Sequence, residues 1–166
     1  MIDFMSNIIK LKETSFDDII LVKRSLMNLR KCYPQFSEWY DSKILPNLDN
    51  DTRRIFLATN NGEFSGALIL KRTDEEKKVC TLFVNEKKNR HKNLGLDFLR
   101  IASEELETYK LPITISDEAK SYFFNSNSFN FQTKYVKENL YAKNMKEYIG
   151  YILYHDEDKY LKNKYY

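Results

Sequence analysis

The stretch TLFVNEKKNRHKNLGLDFL, residues 81–99, has the residue types and spacing to hold an anion. An apolar run ends, five of the next eight residues are basic, and Gly95 then opens a helix-like pattern. The free amides of a helix start attract phosphate, provided that the backbone can approach its oxygens, as glycine permits. Arg90 and Lys92 could neutralise phosphate charge, and Asn93 tolerates left-handed backbone angles. An ordinary strand-to-helix loop would use the same residues, so both interpretations stay open.

Other side chains that could do chemistry are sparse. Cys32 and Cys80 lie far apart with no C-x-x-C spacing, which predicts neither a disulfide framework nor a zinc ribbon. His91 and His155 cannot build a histidine-rich metal site on their own. We therefore expect no metal, and Cys80 is predicted to be a small buried side chain.

Composition places the chain among ordinary folded domains. Its 166 residues are 42% hydrophobic and 31% charged, and the net charge is +3 with Lys and Glu interspersed. This balance lacks the clustered basic face of a nucleic-acid-binding domain. No apolar run approaches the roughly 20 residues of a membrane span, and no signal-peptide layout is present. We expect a cytoplasmic single domain over residues 1–166, with a core of about 7–154 and a charged C-terminal tail.

Hydrophobic periodicity predicts the elements that must position these residues. A first strand at residues 7–13 precedes a helix opened by Ser15 and Asp18 at capping-box spacing. An Asn-Gly step at residues 61–62 predicts a tight hairpin, and residues 79–84 read as a central strand. Apolar residues at helical spacing from Leu96 to Tyr109 then predict a helix. A strand over 111–116, a short helix over 117–129 and a final strand pair follow. The order is β-α-(α)-β-β-β-α-β-α-β-β, an α/β fold around a mixed sheet.

With this order, the basic stretch resembles a known family signature. Residues 90–95, RHKNLG, resemble the R/Q-x-x-G-x-G/A motif of the GNAT superfamily of acyl-CoA-dependent N-acetyltransferases, with Asn93 in place of the first glycine. Residues 81–90 resemble the family's strand ending L-x-V-x-P-x-x-R. The stretch YFFNSNSF resembles F-Y-x-x-x-G-F, with Ser128 where glycine is usual. The segments YPQFSEW and EEKKVCTL also resemble a bacterial subgroup with no assigned substrate. The likeness covers nearly the whole chain.

The resemblance implies a fold and an acyl donor. The fold would be a mixed, mostly antiparallel sheet flanked by helices and splayed between the fourth and fifth strands. Acetyl-CoA would lie in that splay, with its pantetheine on the fourth strand and its pyrophosphate on the basic loop. The implied cofactor-binding residues are Leu82, Phe83, Val84, Arg90, His91, Lys92, Asn93, Leu94, Gly95, Leu96 and Phe124.

The resemblance also implies how the reaction would run. The acceptor amine attacks the thioester directly, so no cysteine or serine nucleophile is needed. Deprotonating a lysine-like amine at neutral pH costs about 4.6 kcal/mol, against about 1.4 kcal/mol for an α-amine. Asp117 and Glu118 are the candidate bases, although both could simply cap the following helix. The family's general acid position holds Phe124, which leaves Tyr122 as the nearest candidate acid.

The implied activity is transfer of acetyl from acetyl-CoA to a primary amine of a small molecule, peptide or protein. The residues expected to shape the acceptor pocket, unless they are core, are Tyr33, Phe36, Trp39 and Tyr40. The alternative is a GNAT-fold module that binds coenzyme A as a sensor or regulatory subunit without catalysis. Charged tRNA is a third, weaker acceptor hypothesis, no membrane partner is expected, and a homodimer is left open.

Overall fold

Seven strands form one sheet in the computed structural model, which describes residues 7–27, 33–85, 94–117, 119 and 129–154. The strands lie in the order β1-β2-β3-β4-β5-β7-β6. Their bounds are Asn7–Lys10 for β1, Arg53–Asn60 for β2, Glu63–Arg72 for β3, Lys77–Val84 for β4, Lys110–Ser116 for β5, Phe129–Glu138 for β6 and Lys146–Tyr154 for β7.

The predicted mixed sheet is confirmed. Every neighbouring pair is antiparallel except β4 and β5, which run parallel. The hairpin predicted at the Asn-Gly step joins β2 to β3, with Asn61 at φ 51° and Gly62 at φ 79°. Successive positive φ values are the geometry of a two-residue turn whose twist matches that of the strands.

Two helical segments cover one face of the sheet. Helix α1 spans Phe16–Leu26, and α2 spans Phe36–Trp39 and continues through a π turn and a 3-10 turn as far as Asn47. The stripe of Ile19, Val22 and Leu26 is buried as its spacing predicts. Ile20, which was expected to widen that stripe, is 54% exposed because it points away from the sheet.

The predicted capping box of α1 is wrong. Ser15 does precede the helix, but its side chain makes no capping hydrogen bond to it. The Ser15 hydroxyl accepts instead from the backbone N–H of Lys12, 3.1 Å away, and so closes the preceding turn. The helix start keeps acidic residues in its first turn, Asp17 and Asp18, which suit the helix dipole.

Helix α3, Leu94–Leu106, covers the other face. Its buried stripe packs on β3, β4, β5 and β7. Gly66 on β3 makes this packing fit, because a Cβ there would lie 2.5 Å from the Phe83 carbonyl oxygen and 3.2 Å from Leu94. The first turn of α3 therefore sits directly on the sheet beside the end of β4.

An ion-pair cluster holds the far end of α3. The Arg54 guanidinium, whose side chain is 12% exposed, bonds both the Glu105 carboxylate and the Glu105 carbonyl oxygen. Asp51 also pairs with Arg54 at 2.8 Å. A cation at a helix C-terminus meets the orphan carbonyls and the negative dipole end.

The short helix predicted over residues 117–129 lies largely outside the described residues. None of the helices that the structure describes is long and apolar enough to span a membrane.

Candidate functional site

The site is a gap in the sheet between β4 and β5. In the described strands, Val79 and Ile113 are the one aligned pair that joins these two strands, whereas β4 stays paired with β3 up to Val84. Cys80, the next residue of β4, is the extra residue of a β-bulge against β3. A bulge bends its strand and increases the twist, so β4 turns away from β5 there.

The end of β4 presents backbone to this gap. Leu82, Phe83 and Val84 are all half-buried, and each is aligned with a β3 residue on the other side. The β5-facing edge of this segment has no aligned strand among the described residues. Unpaired edges of this kind bind extended ligands through main-chain hydrogen bonds.

Helix α3 begins beside the same end of β4. Leu94 is 1% exposed and Gly95 is also buried, while Leu96 is half-buried. The start of this 13-residue helix carries the partial positive charge of its dipole. The loop residues expected to bind pyrophosphate, Arg90, His91, Lys92 and Asn93, lie outside the described residues, so that expectation stays a prediction.

Asp117 follows β5 at the same end of the sheet. Its backbone N–H donates to the Lys146 carbonyl oxygen at 3.3 Å, and its Oδ1 accepts from the Tyr148 hydroxyl at 2.9 Å. These contacts hold Asp117 against the start of β7. The other expected catalytic residues, Glu118 and Tyr122, and the expected pantetheine contact Phe124 lie outside the described residues.

Glu147, which the sequence did not single out, lies next to this aspartate. It is the second residue of β7, is aligned with Ser116 of β5, and is 1% exposed. No residue in the part of the chain that the structure describes donates a hydrogen bond of standard length and angle to its carboxylate. Burial and, to a smaller extent, the charge of Asp117 raise the pKa of Glu147 to about 7, while a hydrogen bond from the Tyr33 hydroxyl acts in the opposite direction.

A sequence signal for Glu147 does exist. In KEYIGYILY, it occupies the same alternating face as Ile149 and Tyr151, in a strand with neighbours on both sides. Acidic side chains are almost never fully buried unless they are paired. A lone glutamate on the apolar register of a central strand is therefore a marker of function.

The four aromatic residues expected at the acceptor pocket divide into two pairs. Tyr40 is 0% exposed and donates its hydroxyl hydrogen bond to the Ile19 carbonyl oxygen at 2.9 Å, and Phe36 is 3% exposed. Both lie in the core beneath α1. Tyr33 and Trp39 are half-buried, so direct acceptor contact stays a prediction for these two alone.

Tyr33 connects this aromatic group to the carboxyl pair. Its ring packs edge-on against Tyr141, with ring centroids 5.2 Å apart. Partial burial raises the pKa of the Tyr141 hydroxyl, and the nearby Glu147 carboxylate on β7 acts in the same direction. Tyr141 therefore lies over the face of the sheet that the gap interrupts.

Cys80 shows no sign of a nucleophile. It is half-buried, and burial raises the pKa of its thiol although the Arg53 guanidinium Nη1 lies 3.2 Å from Sγ. A raised pKa keeps the sulfur protonated and unreactive at neutral pH. Cys32 lies outside the described residues.

The similarity of this chain to known proteins lies in its fold. No protein-family model and no curated protein matches the sequence. Among solved structures, a GNAT-family acetyltransferase from Bacillus cereus matches with a TM-score of 0.61 and 18% identity, over 89% of this chain and 96% of that one. The fold is that of the GNAT acetyltransferases.

Two further structural neighbours are proteins for which a substrate or a bound ligand is named. Mutant forms of the spermidine/spermine N-acetyltransferase SpeG from Vibrio cholerae match with a TM-score of 0.61 and 14% identity, over 96% of this chain and 98% of that one. A Bacillus anthracis protein solved in complex with acetyl coenzyme A matches with a TM-score of 0.50 and 14% identity, over 66% of each chain. The predicted GNAT fold, including the splay between the fourth and fifth strands, is confirmed.

Proposed function

We propose that this chain is an N-acetyltransferase that moves an acetyl group from acetyl-CoA to a primary amine by direct attack. The observation that carries this proposal is the divergence of the parallel strands β4 and β5 beyond the Val79–Ile113 pair. This divergence leaves the unpaired backbone edge of β4 and the start of α3 at the same end of the sheet. The acceptor would belong to a small molecule, a peptide or a protein, and a cytoplasmic location remains a prediction.

The described residues fit the acyl donor. The free edge of β4 at residues 82–84 suits main-chain pairing with the extended, amide-containing pantetheine arm. The start of α3 at Leu94 and Gly95 suits a phosphate group, with Arg90 and Lys92 supplying positive charge. When bound, acetyl-CoA supplies an activated thioester, which makes a protein nucleophile unnecessary. The unreactive environment of Cys80 agrees with this chemistry.

Different elements border the gap on the two faces of the sheet, an arrangement that suits a reaction between two substrates. Helix α3 covers one face, while the half-buried Tyr33 and Trp39 border the other. A donor on the α3 side and an acceptor on the aromatic side would then meet at the end of β4. A β4 amide aimed at the thioester carbonyl would stabilise the charge that develops on its oxygen.

Two measurements on the purified chain test this proposal. Calorimetric titration with coenzyme A measures binding, and thiol release from acetyl-CoA measures transfer to polyamines, lysine-containing peptides, peptides with free α-amines and aminoacyl-tRNA. We expect micromolar binding and release that depends on an amine acceptor. Tight coenzyme A binding with no release for any acceptor would favour the sensor alternative. Absence of coenzyme A binding would overturn both.

A further inference from the structure

Glu147 is a buried carboxyl whose position the fold does not explain by packing alone. It is 1% exposed, and no described residue donates a hydrogen bond of standard length and angle to its carboxylate, although the Tyr33 hydroxyl lies close enough to lower its pKa. Buried polar groups in native proteins are overwhelmingly hydrogen-bonded, so an exception points to a function or to a missing ligand. Replacing it by an apolar side chain of similar size would remove this cost, which makes a purely structural role hard to support.

The groups that face Glu147 come from each element packed against it. Asp117 follows β5, Tyr33 precedes α2, Tyr141 lies between β6 and β7, and Lys137 is the aligned residue on β6. Lys137 is exposed, with its Nζ 5.6 Å from the centroid of the Tyr135 ring. The surroundings are thus a second carboxyl, two phenols and a cation turned toward solvent. They would attract a small cation and reject an anion.

Glu147 also lies within reach of the proposed reaction. It is aligned with Ser116, the last residue of β5, at the end of the sheet where β4 and β5 have diverged. Ile113 and Ile115 of β5 belong to the core under α3, so strand alternation puts Ser116 and its aligned partner Glu147 on the opposite face of the sheet. The carboxyl therefore faces the aromatic side of the gap, from which an acceptor would enter.

We propose that Glu147 receives the proton of an acceptor that arrives as an alkylammonium ion, such as a polyamine or a lysine-type side chain. This proposal rests on the proposed N-acetyltransferase function. Asp117, whose carboxyl accepts from the Tyr148 hydroxyl at 2.9 Å, adds a nearby negative charge that disfavours ionisation of Glu147.

The proposed step consists of two proton transfers and the exchange of a C–S bond for a C–N bond. One N–H bond of the ammonium breaks and an O–H bond forms on Glu147, which converts a buried ion pair into two neutral groups. The nitrogen lone pair then forms the C–N bond to the acyl carbon while the C–S bond breaks. A second proton leaves nitrogen as the amide forms and goes to the departing sulfur. Glu147 afterwards returns its own proton to water.

The acid strength of Glu147 suits this task. A pKa of about 7 leaves much of the carboxyl ionised at neutral pH while making it a far stronger base than an ordinary glutamate. General bases work best when their pKa lies near the working pH, and such catalysis typically contributes a factor of 10² to 10⁴. A lysine-type amine, with a pKa of ~10.4, needs this help far more than an α-amine does.

The experiment compares pH profiles of kcat/KM for the full-length wild type with an aliphatic diamine and with an α-amine peptide. With the diamine we expect activity to rise with a midpoint near pH 7 and then to level off. A rise that continues toward the pKa of the amine itself would overturn the proposal, because the amine would then lose its proton in solution. This measurement needs no variant and so does not depend on the folding of a mutant.

The matched variants are Glu147→Gln and Glu104→Gln, the second at an exposed position of α3. Glu147→Gln should lower kcat/KM for the diamine about 100-fold or more at pH 7, abolish the midpoint near pH 7, and leave the Kd for coenzyme A within about twofold. Glu104→Gln should match the wild type. Carboxyl ¹³C NMR of the wild type should show one glutamate that titrates near pH 7, and this signal should be absent from Glu147→Gln.

The outcomes separate the two proposals. Wild-type turnover with an unchanged Glu147→Gln rate and profile overturns the role of Glu147 alone. Absence of turnover in the wild type with every amine overturns the N-acetyltransferase function and this role with it. Loss of coenzyme A binding in Glu147→Gln would show a structural effect on the donor site and would also contradict the assignment.

Discussion

At the scale of single residues, strand register decides which carboxyls can interact. Glu147 is aligned with Ser116, so these two side chains share one face of the sheet, whereas Asp117, the next residue along the chain, bonds Tyr148 of the α3-side face. No described residue donates a hydrogen bond of standard length and angle to the Glu147 carboxylate. Burial, together with the nearby charge of Asp117, raises the pKa of Glu147.

The raised pKa of Glu147 makes stability depend on pH in a defined direction. Because the folded-state pKa lies above the ordinary value, the unfolded chain releases this proton more readily. The contribution of Glu147 to stability should therefore be greatest below about pH 4.5 and fall as pH rises through 7. Glu147→Gln, which cannot ionise, should be more stable than wild type by about 1–2 kcal/mol at pH 8 and nearly equal below pH 4.5. Urea unfolding at pH 4.5 and 8 measures this, and an equal difference at both pH values would contradict it.

Gly66 is the glycine on which the helix-to-sheet contact depends. Gly66→Ala would place Cβ 2.5 Å from the Phe83 carbonyl oxygen, and neither backbone can easily move. We expect a loss of about 1–3 kcal/mol in the free energy of unfolding, measured with urea. The control is Gly62→Asn, at a turn where no atom lies within 4 Å of the added Cβ and where asparagine tolerates the positive φ. A loss for Gly62→Asn as large as that for Gly66→Ala would show that the clash is not the cause.

At the scale of elements, the two ends of α3 are held by different kinds of interaction. Its start packs against Gly66 and the end of β4 through apolar contact. Its end is tied by Arg54, which reaches both the side chain and the carbonyl of Glu105. The two attachments fix the direction in which the helix start points, and the phosphate site proposed there depends on both.

Removing the Arg54 anchor should cost stability. Arg54→Met keeps much of the apolar stem but leaves Glu105 with one partner fewer in a partly buried site. We expect a loss of about 1–3 kcal/mol in urea unfolding. Arg100→Met, which breaks the exposed pair with Asp97, should change stability by less than about 0.5 kcal/mol. Similar losses for the two variants would mean that burial of the pair is unimportant.

The start of α3 should be sensitive to added negative charge. Gly95→Glu would place a carboxylate beside the proposed phosphate site, so the Kd for coenzyme A should rise about tenfold or more. Arg100→Gln makes the same one-unit change in net charge at an exposed position and should leave the Kd within about twofold. Calorimetry gives the Kd, and circular dichroism confirms that both variants are folded. Unchanged affinity in a folded Gly95→Glu would remove the phosphate assignment.

At the scale of the whole molecule, the order of elements along the chain and the buried helix faces could be predicted from sequence because they depend on local patterns. The Asn61–Gly62 hairpin and the buried register of Ile19, Val22 and Leu26 follow from turn chemistry and periodicity. The proximity of Asp117 and Glu147 could not be predicted in the same way. It depends on the alignment of β5 with β7, which brings together residues 30 positions apart, Asp117 and Glu147. Proximity along the chain alone instead groups Asp117 with its neighbour Glu118.

Binding of coenzyme A should stabilise the whole molecule. A ligand that binds only the folded state at 100 times its Kd adds about 2.7 kcal/mol. For a chain of this size, Tm should rise by about 5–10 °C. Thermal unfolding with and without coenzyme A measures the shift, and the Gly95→Glu variant serves as the control with reduced binding. No rise in the wild type would contradict coenzyme A binding.

The single aligned pair between β4 and β5 also has a mechanical consequence. Strands β1–β4 form one fully paired ribbon and β5–β7 another, and the described backbone connects them at Val79 and Ile113, under α3. A change in the angle between the ribbons would break few hydrogen bonds in either one. The two ribbons are therefore joined largely through α3, whose buried stripe packs on β3 and β4 of one ribbon and on β5 and β7 of the other, so loosening this helix should loosen the whole sheet.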